Sequence, residues 1–297
     1  MTTKTFAPAL KRGRACLGVL MVAVAISALP SAAQPASRAG DARPVSDLDS
    51  AYTEILSQVV EGDGLVDYAA LRGPLAADFR RVLRTVETFD AAALETQAAR
   101  LAFWMNAYNI QMLQHIVESG PITNVIADGR DQTFFRTPVL TAGMAISLDE
   151  IEHMILRGPA ESGPLAPFAL RDTDARLHAG VNCAAVSCPR LRQRAFTARN
   201  VDDELDAGMR EFVSSPRHFH IENGVLMASS LIDWYGEDFD RHDQAAGDWL
   251  LSFMDPDRSD ARGIRERLKG RSSDDLRAAD DVEFFYDWTL NDRALFN

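Results

Sequence analysis

Apolar residues along the chain recur mostly at helical spacing, and they predict helices separated by turn-rich stretches. From Asp47 to Val60, the residues Leu48, Tyr52, Ile55, Leu56 and Val59 fall on one helical face. Glu61-Gly-Asp-Gly64 stops that helix, and Leu65–Tyr68 reads as a short extended piece. A second helix is predicted over Leu75–Phe89. The third, about Glu95–Ser119, carries Leu94, Ala98, Leu101, Met105, Tyr108, Met112 and Ile116 as one stripe. Phe103, Trp104, Ile110, Leu113 and Val117 fill most of its remaining circumference, and a helix apolar nearly all round is expected to be buried. Asn106 and Asn109 lie three apart on it and need partners, either neighbouring backbone or groups in a cleft.

Beyond Gly120-Pro121 the pattern shortens. Pro138–Leu148 reads as a hairpin turning at Ala142-Gly143, and Ser147-Leu-Asp-Glu150 is a capping box that starts a helix carrying His153. A lone helical histidine is more often packed or exposed than catalytic. Gly158–Asp174 is a long loop, and Leu177–Val181 is a strand candidate. Asn200 caps a helix to Val213. Arg217–Ile221 and Val225–Ser229 form a hairpin around Asn223-Gly224. His218 and His220 share one strand face, read as exposed rather than as a metal pair, since no carboxylate or third histidine is near. Helices follow at Ala245–Met254 and across Arg258–Asp280, and Phe284–Trp288 packs back on the core. The expected fold is α+β: a mainly helical single domain, residues 47–297, with short antiparallel hairpins around a buried central helix.

The N-terminus changes the picture of where the protein works. Lys4, Lys11, Arg12 and Arg14 precede an apolar run, Cys16–Leu29, that is short for a bilayer span, and Ser31-Ala32-Ala33 offers small residues for cleavage. Residues 1–33 are read as a signal peptide and 34–46 as a flexible lead-in, giving a periplasmic or secreted protein with no stable membrane anchor after cleavage. The formal charge is −12, and cleavage would remove four basic residues and no acidic one. So acidic a surface argues against nucleic acid as a partner and leaves a small-molecule or peptide-like ligand. No dinucleotide fingerprint or phosphate loop is present, and no cofactor is expected.

One stretch reverses the local sign. Between Ala175 and Val201 there is no Asp or Glu, while Arg176, Arg190, Arg192, Arg194 and Arg199 all fall there, together with Cys183 and Cys188, the two cysteines left after cleavage. His178 stands five residues before Cys183, and Pro189 directly follows Cys188.

These residues bring a resemblance. Phe103-Trp-Met-Asn-Ala-Tyr-Asn109, Ser147-Leu-Asp-Glu-Ile-Glu-His153, and His178 through Asn182-Cys183 to Ser187-Cys-Pro189 resemble the DUF547 family. Ile232–Phe239 and Tyr286-Asp-Trp288 also look like that family, so the likeness runs from about Leu65 to the C-terminus. The family is named for an unknown function. The resemblance implies a signature set of Asn106, Tyr108, Asn109, Glu152, His153, His178, Asn182, Cys183, Ser187, Cys188 and Pro189. Ala179-Gly180 departs from the bulky residue usual after the loop histidine, a change expected to loosen the strand.

Three chemistries fit these side chains. A cysteine hydrolase or acyltransferase would take Cys183 or Cys188 as thiolate, His153 or His178 as base, and Asn182, Asn106, Asn109 or Glu152 to orient the base. Pro189 suits the first turn of a helix, whose dipole would activate Cys188 at the N-cap. On an extended chain His178 and Cys183 would point to opposite faces, which favours His153 as the base for Cys183. Arg190 and Arg192, with Tyr108 and Ser187, would bind an anionic substrate. Alternatively, Cys183 and Cys188 form a structural disulfide in a non-catalytic ligand- or partner-binding domain, worth about 2 kcal/mol for so short a loop. Third, Cys183, Cys188, His178 and His153 could hold zinc.

Overall fold

Thr96 accepts the Ala99 N–H on its hydroxyl and opens the helix around which the N-terminal half packs. The coordinates are a computed structural model that describes residues 43–158, 162–240 and 244–296; the signal segment 1–33 and the lead-in up to residue 42 lie outside the described residues. Helix α1 (Arg43–Val59) starts a turn before the expected Asp47 and buries the face its spacing predicts, Leu48, Tyr52, Ile55, Leu56 and Val59. The stretch expected to be extended passes at Tyr68 into a short helix, α2 (Tyr68–Arg72), capped by the Asp67 carboxylate. Helix α3 (Ala76–Glu87) follows, and then α4 (Gln97–Glu118), buried from Ala102 almost to its end.

Helix α5 (Arg130–Arg136) leads to the hairpin β1 (Val139–Thr141) and β2 (Met144–Ile146), with Ala142 and Gly143 both at positive φ in the turn. The Ser147–Glu150 capping box is formed and starts α6 (Leu148–Glu150), which widens into a π-helical turn over Ile151–Leu156. Such turns are frequent at functional sites. Leu177–Val181 is not a strand. Ala175–Ala179 is a 3₁₀ turn opened by Asp174, whose carboxylate accepts the Arg176 N–H, so the opposite-face reading of His178 and Cys183 no longer applies. Nor does a helix begin at Pro189; the next is α7 (Val201–Ser214), so no helix dipole acts on Cys188. Asn200 precedes α7 but its side chain serves Thr197 and Ala195 instead of capping it.

Strands β3 (Phe219–Glu222) and β4 (Val225–Ser229) form the Asn223-Gly224 hairpin. Short helices α8 (Leu231–Trp234), α9 (Gly236–Phe239), α10 (Ala246–Leu251), α11 (Ala261–Leu268) and α12 (Ser273–Ala278) precede β5 (Val282–Phe285). β5 joins β4 in parallel, Leu226 opposite Val282 and Ser229 opposite Phe285, so the second sheet is mixed rather than a lone hairpin. His218 is buried against Phe212, not on an exposed face.

The protein is a mainly helical α+β fold whose core falls into two apolar clusters. The first surrounds α4, and the second lies between α7, the mixed sheet and α9–α12. The 3₁₀ turn straddles both: Leu177 belongs to the first, Ala175 and Ala179 to the second. Ala179-Gly180 tightens this seam. A Cβ on Gly180 would collide with Met105 and Leu205, and Gly208 of α7 lets the Ala179 carbonyl approach. Among the described residues no helix is long and apolar enough to cross a membrane.

Candidate functional site

Two polar arrangements occupy the seam, and α4 holds the backbone of the first. Asn109 donates from Nδ2 to the Gly180 carbonyl at 2.9 Å and accepts the Asn182 N–H at 2.8 Å. Asn106 does the same for Phe196, donating to its carbonyl and accepting its N–H. Both amides therefore serve backbone. Gln111, unremarked in the sequence, ties α4 to Leu140 and Thr141 of the hairpin. Asn182 in turn donates to the Pro189 carbonyl and accepts the Ala184 N–H, spanning the cysteine loop from within.

Inside that loop Cys183 and Cys188 are joined as a disulfide. The Cys183 N–H points at the Cys188 sulfur, 2.8 Å away, and the Tyr286 hydroxyl lies 3.1 Å from the Cys183 sulfur and 3.2 Å from that of Cys188. Tyr286 gets there because the chain after β5 pairs with the loop: Ser187 N–H donates to the Asp287 carbonyl, Val186 N–H to Thr289, and Asn291 N–H to Ala184. Ser187 Oγ is buried and accepts the Asp287 N–H, a structural role in place of the substrate contact expected. Beside Tyr286, Trp234 and Trp288 stack with centroids 5.7 Å apart, and Trp234 is 45% exposed, an aromatic shelf open to solvent.

The second arrangement surrounds Asp238, 1% exposed. Its Oδ2 accepts from Arg157 Nε at 2.6 Å and lies 2.9 Å from His178 Nε2. The buried His178 ring stacks on Tyr235 with centroids 4.1 Å apart, and the Arg157 guanidinium covers Tyr235 at 4.8 Å. Arg157 also reaches His153 Nδ1 at 2.9 Å. Burial pushes the Asp238 carboxyl up, but hydrogen bonds from His178 and Arg157 and the Arg157 charge outweigh it and hold it down at about 2. Glu152, buried in the π turn, acts electrostatically on the Tyr108 and Tyr235 phenols. Burial first, and then the Glu152 charge, push the Tyr108, Tyr235 and Tyr286 phenols well above their usual range, so all three remain donors at neutral pH.

The sequence-level catalytic set is thus brought to one seam without forming a cysteine–histidine pair. His178 is turned to Asp238 and His153 is exposed beside Arg157; no described histidine lies within hydrogen-bonding reach of either sulfur. Arginines of the positive stretch are ion-paired as well. Arg192 pairs with Glu204 and Glu211, Arg190 with Glu211, Arg194 with Glu204, and Arg176 with Asp174, Asp202 and Asp206. The positive stretch is neutralised mostly by the acidic face of α7, which leaves Arg190 and Arg192 engaged rather than free for an anionic substrate. No group of three His, Cys, Asp or Glu side chains among the described residues is arranged to hold a metal ion, so the zinc set is not assembled.

Asp238, Tyr235, Arg157 and Tyr286 were missed as site residues. The first two lie in the Ile232–Phe239 motif and Tyr286 in the Tyr-Asp-Trp ending, whose polar groups amid aromatic residues were the available signal.

The fold and site define a mainly helical α+β protein with a disulfide-closed loop beside a buried Asp–His–Tyr cluster. A family model described as "Protein of unknown function, DUF547" matches residues 92–213, and that stretch is similar to the DUF547 family. The match stops short of Ile232–Phe239 and Tyr286–Trp288, so it is narrower than the resemblance read from the motifs. Comparisons with curated proteins and with solved structures give no match.

Proposed function

We propose that the protein is exported and acts as a ligand- or partner-binding domain in which the Cys183–Cys188 bond is structural. One observation supports this reading above the others: each sulfur is engaged by the other and by Tyr286, while both histidines at the seam are committed elsewhere. An oxidising compartment would keep such a bond closed. The polar network around it then acts as a rigid frame, with Asn109, Asn182 and Ser187 holding the loop and the Trp234–Trp288 shelf lying open beside it.

A second reading, a thiol-dependent hydrolase or acyltransferase, is favoured by one feature. Cys183 is only half-buried, and the Tyr286 hydroxyl could stabilise a thiolate there once the bond is reduced. Intact-mass measurement on protein isolated from the exporting cell's periplasm, with iodoacetamide and with or without reductant, separates the two. No labelling until reduction, and a mass two hydrogens lighter before it, is expected. Rapid labelling of one thiol without reductant would overturn the structural reading in favour of the enzymatic one.

A further inference from the structure

A cleft of about 450 Å³ is lined by Asp238 together with residues of the 3₁₀ turn and α10. That volume is in the range of small-molecule sites. One wall is aromatic: Trp249 packs between Phe239 (5.6 Å) and Phe253 (4.9 Å). Most of the remaining lining is charged: the exposed or half-buried Asp172, Asp174, Arg176 and Asp206, and the buried Asp238.

These charges do not balance. Arg176 is shared among Asp174, Asp202 and Asp206, and Arg210 adds a second cation on Asp206. Asp172 has no ion-pair partner among the described residues, so carboxylates outnumber guanidinium groups in the lining. The aromatic wall already accepts a cation at its edge, where the Arg210 guanidinium lies 6.0 Å from the Phe253 centroid. An apolar wall takes an apolar body, and its ring faces and the excess carboxylates favour positive charge and repel negative.

We propose that this cleft binds an organic cation, a primary ammonium or guanidinium group carried on a flat or apolar body. The inference deepens the binding-domain reading by naming a ligand class, and it places the ligand against Asp238, the carboxylate that holds His178. A bound cation would be sensed by the imidazole through that contact.

The test uses the full exported chain with its disulfide intact and three probes of one shape: phenethylamine, 2-phenylethanol and 3-phenylpropionate. Calorimetric titration is expected to rank them ammonium, alcohol, carboxylate, with about a tenfold preference for the ammonium over the alcohol. Phenethylamine should also shift the His178 ring signals in a histidine-labelled NMR spectrum. Asp172→Asn, an exposed change that leaves the fold intact, should weaken the ammonium about threefold and leave the alcohol unchanged. No ammonium binding at about 10 mM, equal affinity for the three probes, or an Asp172→Asn protein that binds as before would overturn the proposal. The mass measurement on the thiols is independent: a freely reactive cysteine with the ammonium preference intact would remove the structural-disulfide reading and leave this site standing.

Discussion

His178 and Arg157 share a single oxygen of Asp238, the imidazole Nε2 at 2.9 Å and the guanidinium Nε at 2.6 Å, in a site from which water is almost excluded. One buried carboxylate thereby locks the 3₁₀ turn, the π turn and α9 together. Removing its charge leaves the mostly buried Arg157 without its main counterion. Asp238→Asn is expected to cost about 3 kcal/mol in urea unfolding. Glu237→Gln, which removes an exposed partner of the same arginine, should cost less than about 0.5 kcal/mol. Equal losses would show that Asp238 is not the hub.

His218 is expected to make the fold less stable in acid. Burial, and then the Arg217 charge, lower its imidazole to about 3, whereas an unfolded histidine titrates near 6.5. The unfolded chain therefore binds the extra proton between those values. The stabilising contribution is whole above about pH 6.5 and is lost as pH falls toward about 3, by up to roughly 1.4 kcal/mol per pH unit. His218→Phe, with its ring still against Phe212, should flatten that slope when unfolding is compared at pH 7 and pH 5.

The disulfide closes a very short loop. Cys183→Ser, Cys188→Ser and the double variant should each lose about 2 kcal/mol, with no further cost in the double. Dithiothreitol should destabilise the wild type by the same amount and the variants not at all. Additive losses from the two single variants would mean that the cysteines act independently.

Asn109 clamps both sides of the loop from α4. Asn109→Ala strands the buried Gly180 carbonyl and Asn182 N–H and is expected to cost roughly 2–4 kcal/mol in urea unfolding. A loss below about 1 kcal/mol would mean that the disulfide alone holds the loop.

The arginines should report stability, not affinity. Arg192 is 11% exposed at its side chain and faces Glu204 at 6%, so Arg192→Ala is expected to cost roughly 3 kcal/mol. Arg190→Ala removes a more open pair with Glu211 and should cost less than about 1 kcal/mol. A fall in affinity for an anionic probe with stability unchanged would restore them as substrate-binding residues.

The amino-acid sequence by itself determined the elements whose cause is local. The α4 stripe, the Ser147–Glu150 capping box and the Asn223-Gly224 turn are set by periodicity and by side chains bonding within a few residues, and each is found where expected. The cysteine loop and its asparagines were also legible, because residue types alone marked them. Local pattern misled where the deciding contact was distant. Leu177–Val181 looked extended, but Leu177–Ala179 belong to a 3₁₀ turn that Asp174 caps and against which α7 packs closely at Gly208. The arginine run looked like an anion site, and only the acidic face of α7 revealed it as a set of ion pairs. The Asp238–His178 contact joins residues 60 apart, and Tyr286 meets the sulfurs from 103 and 98 residues away. No spacing rule spans such gaps. Packing of the two apolar clusters brings those groups to one seam, where burial makes unpaired polar atoms costly and so selects their partners.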